Sequence, residues 1–134
     1  MIRAVIFDCF GVLVGRDGVD AALAALIQQD LRGQVKLGVL SNMSSNQAPE
    51  LVGEELASCF DQIMVSGELG VAKPDMRAYL MAAQRLSEFP DDCLFIDDSP
   101  RNVAAAEAVG MAAVCYTDAA ALRQKLIEYG IISA

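Results

Sequence analysis

The chain has 134 residues, the size of one domain, and a formal net charge of −8 with no histidine. That acidity works against nucleic acid or an anionic membrane as partner, because both need clustered Lys and Arg. The absence of imidazole removes Ser-His-Asp and Cys-His triads and most zinc sites.

Residues 2–7 form a continuous apolar run of strand length. Residues 19–31 then place apolar side chains at Val19, Ala22, Leu23, Leu26, Ile27 and Leu31, a helical period closed by Gly33. Residues 35–40 read as a second buried strand, followed by the polar turn 41–45. Pro49 opens a helix with Leu51, Val52 and Leu56 on one face. Residues 63–65 read as a third strand and 67–73 as a loop. Asp75 caps a helix carrying Tyr79, Ala82, Ala83 and Leu86 on one side. A fourth strand over 93–96 runs into Asp97-Asp98. Ser99 and Pro100 then suit the N-cap and first position of a helix that Gly110 ends. Residues 111–116 read as a fifth strand and 118–129 as a last helix before Gly130. No segment repeats and no linker divides the chain, so 1–134 is expected to be one domain.

Strands alternating with helices imply crossover connections and a parallel sheet, covered on both faces by the Val-, Ile-, Leu- and Ala-rich core. In such sheets ligands bind beyond the carboxyl ends of the strands. Asp8, Ser41 and Asp97 each stand at such an end. If strands one, two and four are neighbours, the three side chains converge.

Taken singly, each of these residues has a bland reading. A strand-end Asp is usually a turn residue, Ser41-Asn42 suits a cap, and Lys73 suits a solvated surface. Yet a hydroxyl and free backbone N–H groups at a strand end also form an anion cup. Pro74 holds Lys73 extended, and Asp75 starts a helix straight after it, which fixes the lysine near the strand ends. Asp97 and Asp98 repel one another unless a cation sits beside them, and a hard cation such as Mg²⁺ answers that.

The ordered set resembles the haloacid dehalogenase (HAD) superfamily of hydrolases over essentially the whole chain. The matching stretches are Phe7-Asp8-Cys9-Phe10-Gly11-Val12-Leu13, then Gly38-Val39-Leu40-Ser41-Asn42, then Ser66-Gly67-Glu68-Leu69-Gly70-Val71-Ala72-Lys73-Pro74-Asp75, then Phe95-Ile96-Asp97-Asp98-Ser99-Pro100-Arg101-Asn102, running on to Ala106 and Gly110. The resemblance implies a three-layer Rossmann-like α/β fold with a five-stranded parallel sheet and helices on both faces. It implies Mg²⁺-dependent phosphate monoester hydrolysis. Asp8 would be the nucleophile that becomes an aspartyl-phosphate. Ser41 and the Asn42 backbone N–H would hold phosphoryl oxygens, and Lys73 would neutralise charge. Asp8, the Phe10 carbonyl, Asp97 and Asp98 would hold the metal. The implied partner is a phosphorylated substrate, small or large, with no role for nucleic acid or membrane.

Two departures from the family pattern stand out. The phosphatase members carry a second Asp where this chain has Phe10, which cannot exchange a proton, so ester turnover should be slow. Asp17, in the loop after the first strand, is the better candidate for a substitute acid, ahead of Glu68. The second departure is the cap: between Asp8 and Ser41 there is room for little beyond one helix, so the cap is absent or minimal and the site open. Phe10-Gly11 also resembles the metal-free 2-haloacid dehalogenase branch, against which the Asp97-Asp98 pair argues. A catalytically weak phosphate- and Mg²⁺-binding regulatory module is the other alternative. The four cysteines, Cys9, Cys59, Cys93 and Cys115, form no C-x-x-C pair. Without a secretory leader they are expected to be reduced and mostly buried in a cytoplasmic protein.

Overall fold

Strand β1 (Ala4–Phe7) is buried along its whole length and pairs on both sides, parallel to β4 (Lys36–Ser41) and to β6 (Cys93–Asp97). The computed structural model describes residues 1–134. Beyond these three strands lie β5 (Gln62–Val65) and β7 (Ala112–Cys115), giving a five-stranded parallel sheet of order β5-β4-β1-β6-β7. Side chains on a strand alternate faces, and β1 divides the core accordingly. Val5 and Phe7 point into one apolar cluster with Leu23, Leu26, Leu56, Leu122 and Leu126. Ala4 and Ile6 point into the other, with Tyr79, Ala82, Ala83 and Ala106. Helices α1 (Ala21–Leu26), α2 (Ala48–Val52), α3 (Glu54–Ala57) and α7 (Ala119–Glu128) therefore cover one face. Helices α5 (Met76–Arg85) and α6 (Pro100–Ala108) cover the other. This is the three-layer Rossmann-like arrangement that the family resemblance implied, built on the parallel sheet that the strand–helix alternation implied.

Local chemistry sets the boundaries. Asp20, Asp75, Ser99 and Asp118 are the N-caps of α1, α5, α6 and α7, each side chain accepting from a backbone N–H of the first turn. Three expected elements come out differently. The helix expected over 19–31 begins only at Ala21, because Gly15 and Gly18 close a short antiparallel hairpin of β2 (Val14–Gly15) and β3 (Gly18–Val19) that takes Val19. Its last turn, Ile27–Leu31, is a wider π turn closed by Arg32 N–H to the Ile27 carbonyl. The helix around Pro49 is split into α2 and α3 at Gly53, whose φ of 88° no helix accommodates. The stretch expected as loop begins with one helical turn, α4 (Ser66–Leu69), before Gly70 reverses the chain.

Between Asp8 and Ser41 lie only the hairpin, α1 and the π turn, so nothing of the size of a cap stands over the strand ends. Ile131 and Ile132 pack, partly buried, on the cluster under α7. No helix is long and apolar enough to cross a membrane.

Candidate active site

Because β4, β1 and β6 are adjacent, their carboxyl ends place Ser41, Asp8 and Asp97 at one edge of the sheet. Asp8, Ser41, Lys73 and Asp97 are the four buried polar or charged residues of the chain. Lys73 reaches inward from the loop before α5. Its ammonium donates to Asp8 Oδ1 and Asp97 Oδ2, each at 2.9 Å, and its side chain is only 1% exposed. Asp8 Oδ1 also accepts from the Cys9 N–H at 2.9 Å, whereas Oδ2 has no partner in the chain. Asp97 Oδ2 also accepts from Asn102 Nδ2 at 3.1 Å, and its Oδ1 accepts from the Ser99 N–H at 3.0 Å. The Lys73 ammonium also lies 5.4 Å from the centre of the Phe95 ring.

One buried cation therefore faces two buried carboxylates, and a third, Asp98, closes on the same space. Ligand atoms of Asp8, Asp97 and Asp98 lie within 4.8 Å of one another. Gly11 packs so close beneath Asp98 that a Cβ there would collide with its carboxylate. Burial pushes the Asp8 carboxyl up to about 6, Lys73 opposing and Asp97 adding to the shift. The Asp98 carboxyl is also pushed up, first by partial burial and then by Asp97. Excess negative charge in a half-dry site is the condition that a bound divalent cation relieves, and three hard oxygen donors suit Mg²⁺.

The sequence-predicted residues are distributed around this centre as follows. Ser41 is buried at the end of β4, the strand next to β1, and Asp8 follows the last residue of β1. The Asn42 side chain turns to the Lys73 backbone, accepting from its N–H at 3.0 Å and donating to its carbonyl at 2.9 Å. The Phe10 side chain is 52% exposed at the rim. Asp17 occupies the exposed turn between β2 and β3 and is not among the carboxylates gathered at Asp8. Two contributors have no role assigned from the sequence, although Asn102 lies within the fourth matching stretch. Asn102 sits three residues after the N-cap Ser99, a spacing that returns its side chain toward the strand end. The Cys9 N–H acts through the backbone and leaves no mark in residue type.

A family model described as haloacid dehalogenase-like hydrolase matches residues 16–110. The chain belongs to that family. The matched HAD segment contains Ser41, Lys73, Asp97 and Asp98, and Asp8 lies just ahead of it. A phosphoserine phosphatase from Thermus thermophilus is 33% identical over 92 residues, covering 67% of this chain and 37% of that enzyme. The chain spans between 14% and 55% of the length of the curated relatives it matches. Among solved structures, an uncharacterized protein from Corynebacterium glutamicum superposes with a TM-score of 0.80 at 30% identity, covering 100% of this chain and 98% of its own. A point mutant of a HAD family enzyme from Bacteroides thetaiotaomicron, in complex with magnesium and inorganic phosphate, gives 0.69 at 15% identity, covering 87% of this chain and 95% of that one. At that identity the likeness shows the shared fold.

Proposed function

We propose that this chain is a Mg²⁺-dependent phosphohydrolase in which Asp8 is the nucleophile. The observation that carries the reading is the buried Asp8–Lys73–Asp97 arrangement at the ends of three adjacent strands, with Asp8 Oδ2 left free. Phosphoryl transfer asks mainly for positioning and charge neutralisation, and these groups supply both. Asp8, Asp97, Asp98 and the Phe10 carbonyl would hold Mg²⁺, which when bound neutralises charge on the phosphoryl group. Ser41 and the Asn42 N–H hold phosphoryl oxygens while Lys73 balances the charge of Asp8. Asp8 Oδ2 forms a bond to phosphorus as the P–O bond to the leaving group breaks, its electron pair departing with that oxygen. Water then attacks phosphorus, releasing phosphate and restoring the Asp8 carboxylate.

Phe10 offers no proton to the departing oxygen, so phosphate esters and anhydrides with weakly basic leaving groups are the expected substrates. The acids at Asp97 and Asp98 disfavour a haloacid as substrate, because they would repel its carboxylate. The test is hydrolysis of an aryl phosphate with Mg²⁺, lost on chelation and in Asp8→Asn, with an acid-stable phosphoryl group trapped on Asp8. No turnover across a broad phosphate panel, together with no trapped phosphoenzyme, refutes the proposal.

The exposed Phe10 also favours a second reading, in which the same site binds Mg²⁺ and phosphate with little turnover. That reading expects ligands to raise the unfolding temperature without product formation.

A further inference from the structure

Asn42 is solvent-exposed, yet both ends of its carboxamide are fixed. A single side chain satisfies the N–H and the C=O of Lys73, a residue 31 positions away. The pairing imitates a strand contact made by an amide that belongs to a different loop. The same loop is tied down beside Asn42 by two donors to the Met43 carbonyl, Ser66 Oγ at 3.1 Å and the Gly67 N–H at 2.8 Å. The Asn42 loop and the Lys73 loop are thereby joined at the mouth of the site.

The demand at the other end of Lys73 is exacting. Its ammonium must meet two carboxylates at 2.9 Å simultaneously, within a side chain sealed from solvent. A buried, close-packed side chain passes a backbone displacement on to its tip. We propose that Asn42 is a positioning residue for Lys73, its carboxamide clamping the Lys73 peptide so that the ammonium sits between Asp8 and Asp97. Because the Asn42 backbone N–H faces the anion cup in the phosphohydrolase reading, on which this half of the proposal rests, one residue would also hold cup and lysine in register.

Amine labelling with trinitrobenzenesulfonate, mapped by peptide mass, tests the clamp without reference to activity. Lys36 and Lys125, with side chains 43% and 54% exposed, are internal standards. In the wild-type chain Lys73 should label far more slowly than either. In Asn42→Ala the loss of two hydrogen bonds should speed Lys73 labelling by about tenfold, with Lys36 and Lys125 unchanged. Asn42→Asp keeps the acceptor for the Lys73 N–H and loses the donor, so its labelling should fall between the two. It also serves if the alanine variant fails to fold. Orthovanadate, a tetrahedral oxoanion that becomes five-coordinate like the transferring phosphoryl group when a nucleophile binds it, should bind about 10²-fold more weakly to Asn42→Ala in the presence of Mg²⁺. Faster Lys73 labelling with vanadate affinity unchanged would reduce Asn42 to a loop brace and overturn the positioning role. Unchanged labelling of Lys73 in folded variants overturns the clamp itself. A wild-type chain that binds no vanadate refutes the phosphohydrolase reading, and labelling still decides the clamp.

Discussion

Replacing Asp8 by Asn should stabilise the metal-free protein near neutral pH while abolishing turnover. The carboxyl rises from 3.8 to about 6 because burial penalises its ionised form more than Lys73 rewards it. The folded state thus holds the Asp8 proton more tightly than the unfolded chain does. Stability from this group is fully present below the unfolded value and is lost as pH rises through about 6. The loss amounts to about 3 kcal/mol near pH 7.5, from 1.36 kcal/mol per pKa unit. An asparagine is isosteric with the protonated acid, and its oxygen still accepts from Lys73 and from the Cys9 N–H. The variant should therefore recover about 3 kcal/mol near pH 7.5 but only about 0.5 kcal/mol near pH 4. Urea unfolding in a chelating buffer at those two pH values measures the difference. Adding Mg²⁺ should then stabilise the wild type more than the variant, narrowing the gap. Equal or lower stability of Asp8→Asn near neutral pH without metal would refute the electrostatic reasoning.

Phe10→Asp, which places an acid beside the nucleophile, should raise turnover of alkyl phosphates by about 10²–10⁴-fold and of aryl phosphates much less. A steady-state comparison of the two substrate classes checks this, and an equal gain on both counts against proton transfer as the cause. Gly67→Ala should cost about 1–3 kcal/mol of stability, because the new methyl would collide with the Ser44 carbonyl. Chemical denaturation measures it, and Gly67→Ala unfolding at the wild-type midpoint contradicts it. Alkylation by iodoacetamide should reach the exposed Cys115 first and spare Cys9 and Cys93, whose thiols burial pushes up to about 11 and about 12. Peptide mapping of the first labelled site decides the order.

The site was largely legible because its residues hang on elements that announce themselves. Buried parallel strands are unbroken apolar runs, so the positions just past them stand out as polar. Ser99-Pro100 and Asp75 fix where the neighbouring helices begin. What stayed hidden depends on contacts across the chain. Val19 fits the helical period of 22, 23, 26 and 27, yet the glycines on either side of Arg16-Asp17 draw it into a hairpin. Asn42 was read for its backbone N–H, and only the fold brings its carboxamide to Lys73. Asn102 is one more polar residue on a helix until Asp97 is seen beside it. The exposure of Cys115 follows from its place at the end of an edge strand, which the sequence does not order within the sheet.

The central place of β1 also constrains how the molecule is made. Its partners are β4 and β6, so a strand finished by residue 7 gains its last neighbour only when residues 93–97 arrive. During synthesis, this wholly buried strand emerges ahead of both its neighbours and is left open on one edge until β6 follows. An apolar strand left with open edges is a template for pairing with other chains. The arrangement that seats Asp8 between its two neighbours therefore leaves the nascent chain open to association until β6 is made, before Lys73 and Asp97 can both reach the carboxylate that follows β1.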